Sequence, residues 1–471
     1  MPNRPRINVP DFSDKKVADP ILEQLDARHM SRRDLLKLAS AGVVAAASWP
    51  LLSACSGAST GGSATTTATT AAGSPSTTAI VAPKSGQVAN IIRVEQAYFL
   101  DQDDGAKKAA KILGLDYAAT SSNQDVLQHI SLVEQFVTGG AKMIIQGNVD
   151  GSDLRPIVEA CTANEAYLAN MFVTDPWFTP FDAGEYYVWY LDLFESENLG
   201  RTTRIVLDAI GGEGTAIYVE GLTGASVATT RKATTLNVLE NEFPNVELLA
   251  IQDGKWNPVD AQKAVEDMVA AVGMPDVILC DNDGEAAGAV AAVEGLGMTP
   301  GVDVLISGQD GNRDVLDMIE DGRVYVTGFH SPAYFGVAPV VRCFDALNGV
   351  KLSAPERQMG VAGAIPVLQD NVAQVKRRFI ETDNLPFDPV LMSKVHHPDD
   401  WDPMHELRAL VLEDHWAPFG EAIFEKPDGW GPPEYVRALE AGEMEQVTQM
   451  YADHYQIKMD DFDYKGVPVP E

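Results

Sequence analysis

The sequence predicts an α/β protein in which parallel sheets are covered by helices on both faces. Three observations carry that reading. Apolar runs of strand length recur at 91–94, 142–146, 215–219, 246–251, 276–280, 302–307 and 324–327, and each is too short to be a buried helix. The segments between them have helical spacing. Gly and Asn mark many of the turns, and repeated strand, helix, strand order of this kind is the pattern of doubly wound sheets. The region 91–349 holds enough chain for two lobes rather than one.

Taken in order, the first element is an address. Ser31-Arg32-Arg33-Asp34-Leu35-Leu36-Lys37 precedes an apolar stretch at 38–52 and then Leu52-Ser53-Ala54-Cys55. The first run resembles a twin-arginine export signal and the last four residues a lipobox, so residues 1–54 are expected to be removed and Cys55 lipidated. A membrane span is the weaker reading, because Ser40, Gly42, Ser48 and Pro50 interrupt the apolar stretch. Residues 55–88 follow as a tether: between 56 and 83 there is no charged residue, mostly Ser, Thr, Ala and Gly, too little apolar surface to fold.

Charge and cysteine usage bound the function. The 471 residues include 35 Lys and Arg against 68 Asp and Glu, a net charge of -33, which repels phosphate backbones and makes nucleic acid an unsuitable partner. Cys55, Cys161, Cys280 and Cys343 are far apart, with no C-x-x-C, so neither a zinc site nor a disulfide scaffold is expected. With 45% hydrophobic residues, the fold must rest on an apolar core.

Within the α/β region the clearest helix is 258–272, where Ala261, Ala264, Val265, Met268, Val269 and Val272 share one face and Lys263, Glu266 and Asp267 the other. Ligands of such sheets bind beyond the carboxyl ends of the strands. The turns there read Glu95-Gln96-Ala97-Tyr98-Phe99, Gln146-Gly147-Asn148-Val149-Asp150, Asp281-Asn282-Asp283, Gly308-Gln309-Asp310-Gly311 and Phe329-His330-Ser331-Pro332. Carboxylates and amides exchange hydrogen bonds with several hydroxyls at once, and aromatic rings cover the C–H face of a sugar, so the set suits a neutral polyhydroxylated ligand. Any single Asp or Asn after a strand is as readily a helix cap.

Here the chain resembles the sugar-binding type I periplasmic binding proteins, the ribose-binding-like receptors of ABC importers. The resemblance rests on Tyr98-Phe99 followed by Asp104-Gly105-Ala106-Lys107-Lys108-Ala109-Ala110 and Leu113-Gly114, on the runs 132–145, 148–153, 221–231 and 256–268, and on Asp281-Asn282-Asp283, Ala287-Gly288-Ala289 and Gly308-Gln309-Asp310-Gly311. It implies two doubly wound lobes joined by a three-crossover hinge: lobe one at 89–194 with 333–359, lobe two at 195–332 with 360–370. It also implies that Tyr98 and Phe99 sandwich the ligand ring, that Asn282 and Asp310 bind hydroxyls, and that His330 is a neutral ligand contact. Asn148, Thr229 and Arg231 complete the implied contacts, with Phe172, Trp177 and Asp283 as further candidates. Two guanidinium contacts of the family are absent at the matching positions, around Asn170-Met171-Phe172 and at Thr229, so a ribose or simple hexose pyranose is not implied.

Residues 371–471 lie beyond the family's fold. They carry nine basic and 21 acidic residues, five of the eight histidines and three of the seven tryptophans. An acidic disordered tail is aromatic-poor, so this extension is expected to pack on a lobe, mainly helical or irregular, with helices at 403–414 and 433–455. His396, His397, Asp399, Asp400, His405 and Glu406 have a composition that suits a divalent ion but equally an ordinary surface, and no metal site is assigned.

The expected function is therefore a receptor anchored by lipid to the outer face of the cytoplasmic membrane, monomeric, without a cofactor. It passes a small polar ligand to a permease and ATPase, or alternatively reports it to a signalling partner. An enzyme is not expected: no Gly-x-Ser-x-Gly falls between a strand and a helix, the string Gly57-Ala58-Ser59-Thr60-Gly61 lying in the tether, and there is no His-Glu-x-x-His and no P-loop.

Overall fold

The computed structural model describes residues 84–471; the export signal, Cys55 and most of the tether lie outside the described residues. Two sheets organise the chain. The first takes β1 (Gln87–Ile92), β2 (Asp116–Ser121), β3 (Met143–Gly147), β4 (Tyr167–Met171) and β5 (Tyr187–Leu193). The second takes β6 (Gly214–Glu220), β7 (Val246–Asp253), β8 (Val277–Cys280), β9 (Leu305–Asp310) and β10 (Val326–Phe329). The chain then returns to each in turn through β11 (Gln358–Val361) and β12 (Ile365–Val367), and β13 (Leu407–Ala409) comes from the extension. The orders are β13-β11-β5-β4-β3-β1-β2 and β12-β10-β9-β8-β6-β7. Only β12 and β13 run antiparallel to their neighbours.

Helices α1 (Ala97–Ile112), α2 (Val126–Thr138), α3 (Leu154–Ala163) and α9 (Pro332–Leu347) flank the first sheet. Helices α4 (Glu195–Ala209), α5 (Ser226–Asn241), α6 (Pro258–Val272), α7 (Asp283–Gly295) and α8 (Arg313–Glu320) belong to the second. The α6 limits coincide with the predicted helix, since Asn257 caps its start with Oδ1 and Pro258 occupies the first turn. Central strands are buried throughout: no residue of β5 or β8 is more than marginally exposed, as covering on both faces demands. The edge strand β2, Asp-Tyr-Ala-Ala-Thr-Ser, is half-exposed and has no apolar run, which is why its pattern does not read as a strand.

The chain crosses between lobes from β5 into α4, from β10 into α9, and from β11 to β12. The second crossover is locked by helix contact. At Gly336 of α9 an added Cβ would stand 2.0 Å from the Gln102 carbonyl of α1, and at Gly105 of α1 another would stand 2.7 Å from the Ala333 carbonyl. Only hydrogen at both positions lets the two backbones approach this closely.

The extension departs from its predicted form. The 403–414 segment holds β13 rather than a helix, pairing Met359 with Ala409 and Val361 with Leu407. The open edge of β11 decides this, because it offers backbone partners that an isolated short helix lacks. Residues 433–455 form two helices, α10 (Pro433–Glu440) and α11 (Glu443–His454), broken at Gly442 in the left-handed conformation (φ 66°). The acidic and histidine cluster is dispersed: His396 stacks on Phe344, His397 faces Asp400, and His405 is buried against Tyr334. Cys161, Cys280 and Cys343 are buried free thiols. Among the described residues no helix is long and apolar enough to cross a membrane.

The Gly336 contact yields a test. Gly336→Leu should lower stability by about 1–3 kcal/mol through overpacking, read as a lower urea midpoint with unchanged m-value; an unchanged midpoint would show that α1 and α9 are not held this closely.

Candidate functional site

A cavity of about 270 Å³ opens between the carboxyl ends of the two sheets. Lobe one contributes Arg93 and Gln96 from the turn after β1, Tyr98 and Phe99 from the first turn of α1, and Phe172 and Val173 from the turn after β4. Lobe two contributes Arg231 from α5, Trp256 after β7, Asn282 after β8, Asp310 and Asn312 at β9, and His330 after β10. The lobes meet at the mouth, where Arg313 Nε donates to Asp101 at 2.9 Å and Thr174 N donates to Ser226 Oγ at 3.2 Å. The described form is closed.

Arg231 organises the lobe-two wall. Its Nε donates to Glu195 Oε1 at 2.7 Å, Nη1 to the Asp281 carbonyl at 2.8 Å, and Nη2 to Asp310 Oδ1 at 2.9 Å. All three side chains of this ion cluster are buried. Burial works against the Arg231 charge, but Glu195 and Asp310 outweigh it and hold its pKa well above the usual value. Burial likewise pushes Asp310 up, and the Arg231 guanidinium, with the His330 ring beside it, more than reverses that, keeping the carboxylate below its ordinary range. Asp310 is thus an ionised acceptor facing the cavity.

The Asp310 backbone is strained, at φ 115°, where a side chain is rarely tolerated unless its surroundings enforce it. Asp283 supplies the enforcement. Its Oδ2 accepts from Gly311 N at 2.8 Å and Asn312 N at 2.7 Å, and its Oδ1 from Thr327 Oγ1 at 2.6 Å. Asp283 is buried behind the loop and does not line the cavity. Asn282 caps α7, with Oδ1 accepting from Glu285 N at 2.9 Å while Glu285 Oε2 accepts from Asn282 N at 3.2 Å. The amide hydrogens of Asn282 remain for the cavity.

The aromatic groups form a cluster rather than a parallel sandwich. Tyr98 meets Phe99 at 77° with centroids 5.4 Å apart, Phe172 at 68° and His330 at 71°. Two rings at this angle do not present parallel faces to one flat ligand ring. His330 Nδ1 lies 3.4 Å from Tyr98 Oη, its Nε2 3.4 Å from Asp310 Oδ1. Trp256 is fixed from behind: its Nε1 donates to Asp281 Oδ2 at 2.8 Å and its backbone N to Glu285 Oε1 at 2.9 Å.

Of the residues named from sequence, Tyr98, Phe99, Arg231, Asn282, Asp310, His330 and Phe172 line the cavity. Asn148, Thr229, Trp177 and Asp283 do not. Asn148 closes its own turn by donating to Asp153 Oδ1 at 2.6 Å, and Thr229 donates to the Ala225 carbonyl within α5. Trp177 packs edge-on against Trp430 of the extension, 4.8 Å between centroids. Sequence reasoning missed Arg93, Gln96, Trp256 and Asn312 as lining groups and Glu195 as the partner of Arg231. Arg93 falls in the run read as strand, whereas β1 ends at Ile92 and places it in the turn.

A family model described as a periplasmic binding protein domain matches residues 41–351. The ribose import binding protein of Haemophilus influenzae is 25% identical over 264 residues, 55% of this chain and 85% of its own length. The D-apiose import binding protein of Paraburkholderia graminis is 25% identical over 291 residues, 60% of this chain and 89% of its own. Among solved structures, a periplasmic sugar-binding protein from Pseudomonas fluorescens superposes with a TM-score of 0.59 at 19% identity, covering 67% of this chain and 96% of that one.

Asp281 gives the site a pH signature. Burial raises its carboxyl to about 7 despite Arg231 and the hydrogen bonds from Tyr218 and Trp256. A folded pKa above the unfolded value of about 4 means that this carboxyl's contribution to stability is fully present below pH 4 and is lost as pH rises through 7. Asp281→Asn, whose amide the Tyr218 hydroxyl can turn to accept, abolishes that loss. Its stability relative to wild type should therefore rise between pH 4 and 7.5 in urea titrations; a constant difference would contradict the assignment.

Proposed function

Because this chain belongs to the periplasmic binding protein domain family, we propose that it is an exported receptor that holds a sugar or polyol between its lobes and delivers it to the permease of an ABC importer. The observation that carries the reading is the cavity itself, closed between two parallel sheets and walled by aromatic carbon beside ionised or half-used polar groups. Asp310 accepts from hydroxyls, the Asn282 amide donates to them, and Phe99 and Trp256 cover C–H surface. The ribose and apiose relatives support the same ligand class.

The chain acts by binding, not by chemistry on its ligand; its relatives are named as binding proteins. A ligand touching Phe99 in lobe one and Asp310 in lobe two contacts both walls only when the lobes are together, so it favours the closed population. The closed surface is then what a permease recognises. In this reading Cys55, lipidated after cleavage, keeps the receptor at the outer face of the membrane, with the uncharged tether setting its reach.

The test is a thermal-shift screen of the full chain against sugars in neutral and acidic forms, polyols, nucleosides and amino acids. Sugars or polyols should raise the melting temperature; binding confined to amino acids, or none in any class, would overturn the reading. Asp310→Ala should weaken the ligand found by about 100-fold, ~2.7 kcal/mol, in isothermal titration. Unchanged affinity would remove Asp310 from the site. Ligand-dependent crosslinking in membranes that captures a sensor kinase instead of a permease would replace transport by signalling.

A further inference from the structure

Arg93 is a buried cavity cation that no carboxylate of the described residues pairs directly; Asp153 and Asp310 act on it only from beyond ion-pair distance. It is 7% exposed, its Nε has no hydrogen-bond partner, and among the described residues it makes no ion pair. Its guanidinium carbon lies 4.9 Å from the ring centroid of Phe99 in lobe one and 4.9 Å from that of Trp256 in lobe two. Burial lowers its pKa only to about 10, so it stays a cation at neutral pH. The other cavity cation, Arg231, is already taken up by Glu195 and Asp310.

The guanidinium carbon stands over both rings and Nε has no acceptor among the described residues; hydrogen bonds to a guanidinium form in its plane, at the N–H edge. That edge is a fork that fits a carboxylate in bidentate fashion. Hydroxyls satisfy the donors but not the charge, and a buried cation without a counter-ion is costly. We propose that the ligand is a sugar acid, an aldonate or uronate, whose carboxylate docks on Arg93 while its hydroxyls meet Asp310 and Asn282 across the cleft. The proposal rests on the sugar-receptor reading and replaces the neutral ligand expected from sequence. That expectation followed from the carboxylates, amides and aromatic rings of the turns; of the two guanidinium forks missing at matched positions, Arg93 supplies one from the turn after β1. Because Arg93 sits on lobe one and the hydroxyl readers on lobe two, an acid spans the cleft and strengthens closure.

The experiment is isothermal titration of the full chain with matched pairs: glucose with gluconate and glucuronate, galactose with galactonate and galacturonate, arabinose with arabinonate. In at least one pair the acid should bind 10-fold or more tightly than its neutral parent. Arg93→Gln should erase that preference, so that within the variant the acid binds no more tightly than its neutral parent, and Arg93→Lys, which keeps the charge but not the fork, should retain part of it. If neutral parents bind as tightly as their acids in every pair, or if the preference survives in Arg93→Gln, the proposal falls and the sugar-receptor reading stands. If no member of any pair binds and the broader screen yields only other classes, both fall. Should Arg93→Gln fail to fold, the wild-type pairs and Arg93→Lys decide alone.

Discussion

The binding face depends on one buried guanidinium. Arg231 reaches from α5 to three different places: Glu195 at the first crossover, the Asp281 carbonyl at the end of β8, and Asp310 at the end of β9. Each is a group that would otherwise be an unpaired acceptor in the interior. Removing one partner of such a cluster typically costs about 3–5 kcal/mol, mostly because the remaining charges are stranded. The same cluster gives Asp310 its ionised state, so the acceptor in the cavity and the connection to the hinge are one interaction. Around it the protein adds a clamp, Asp283 on the Gly311 and Asn312 amides, that holds Asp310 in a backbone conformation it would not adopt alone.

The extension belongs to the body of the protein. Residues 371–471 add β13 to the edge of the first sheet and bury Trp416, whose Nε1 donates to the Pro176 carbonyl at 2.9 Å. Phe387 and Phe379 join Tyr334 and Phe329 in an aromatic chain beneath the second crossover. On lobe two Lys376 pairs with Asp317 at 2.7 Å, and Arg408 with Glu197 at 2.6 Å. The extension thus grips both lobes, by apolar contact and strand pairing on lobe one, and by ion pairs and the Phe379–Phe329 contact on lobe two.

Legibility in the sequence followed burial. Strands covered on both faces announce themselves as apolar runs, and β3, β6, β8 and β9 sit within a few residues of where the runs lie. Edge strands do not: β2 is polar, and β13 looks helical until the free edge of β11 is present. In the site, residues in turns immediately after strands were legible because the fold class says where ligands go, and Tyr98, Asn282, Asp310 and His330 converge from four such turns. Asn148 and Asp283 sit in equivalent turns but cap their own loops, a distinction local sequence does not carry.

By itself the sequence determined the α/β class, the two-lobed organisation and the turns that form the cleft, because hydrophobic periodicity and turn chemistry are local and survive without coordinates. Tertiary structure decided which polar side chain faces ligand and which faces backbone, since that depends on partners 25 to 79 positions away, as in Trp256 with Asp281 and Arg231 with Asp310. It also decided that Arg93, one residue beyond a strand end, stands against an aromatic ring from the other lobe with no carboxylate of the described residues in ion-pair contact. No local pattern encodes an unpaired charge, because pairing is a property of everything that surrounds it.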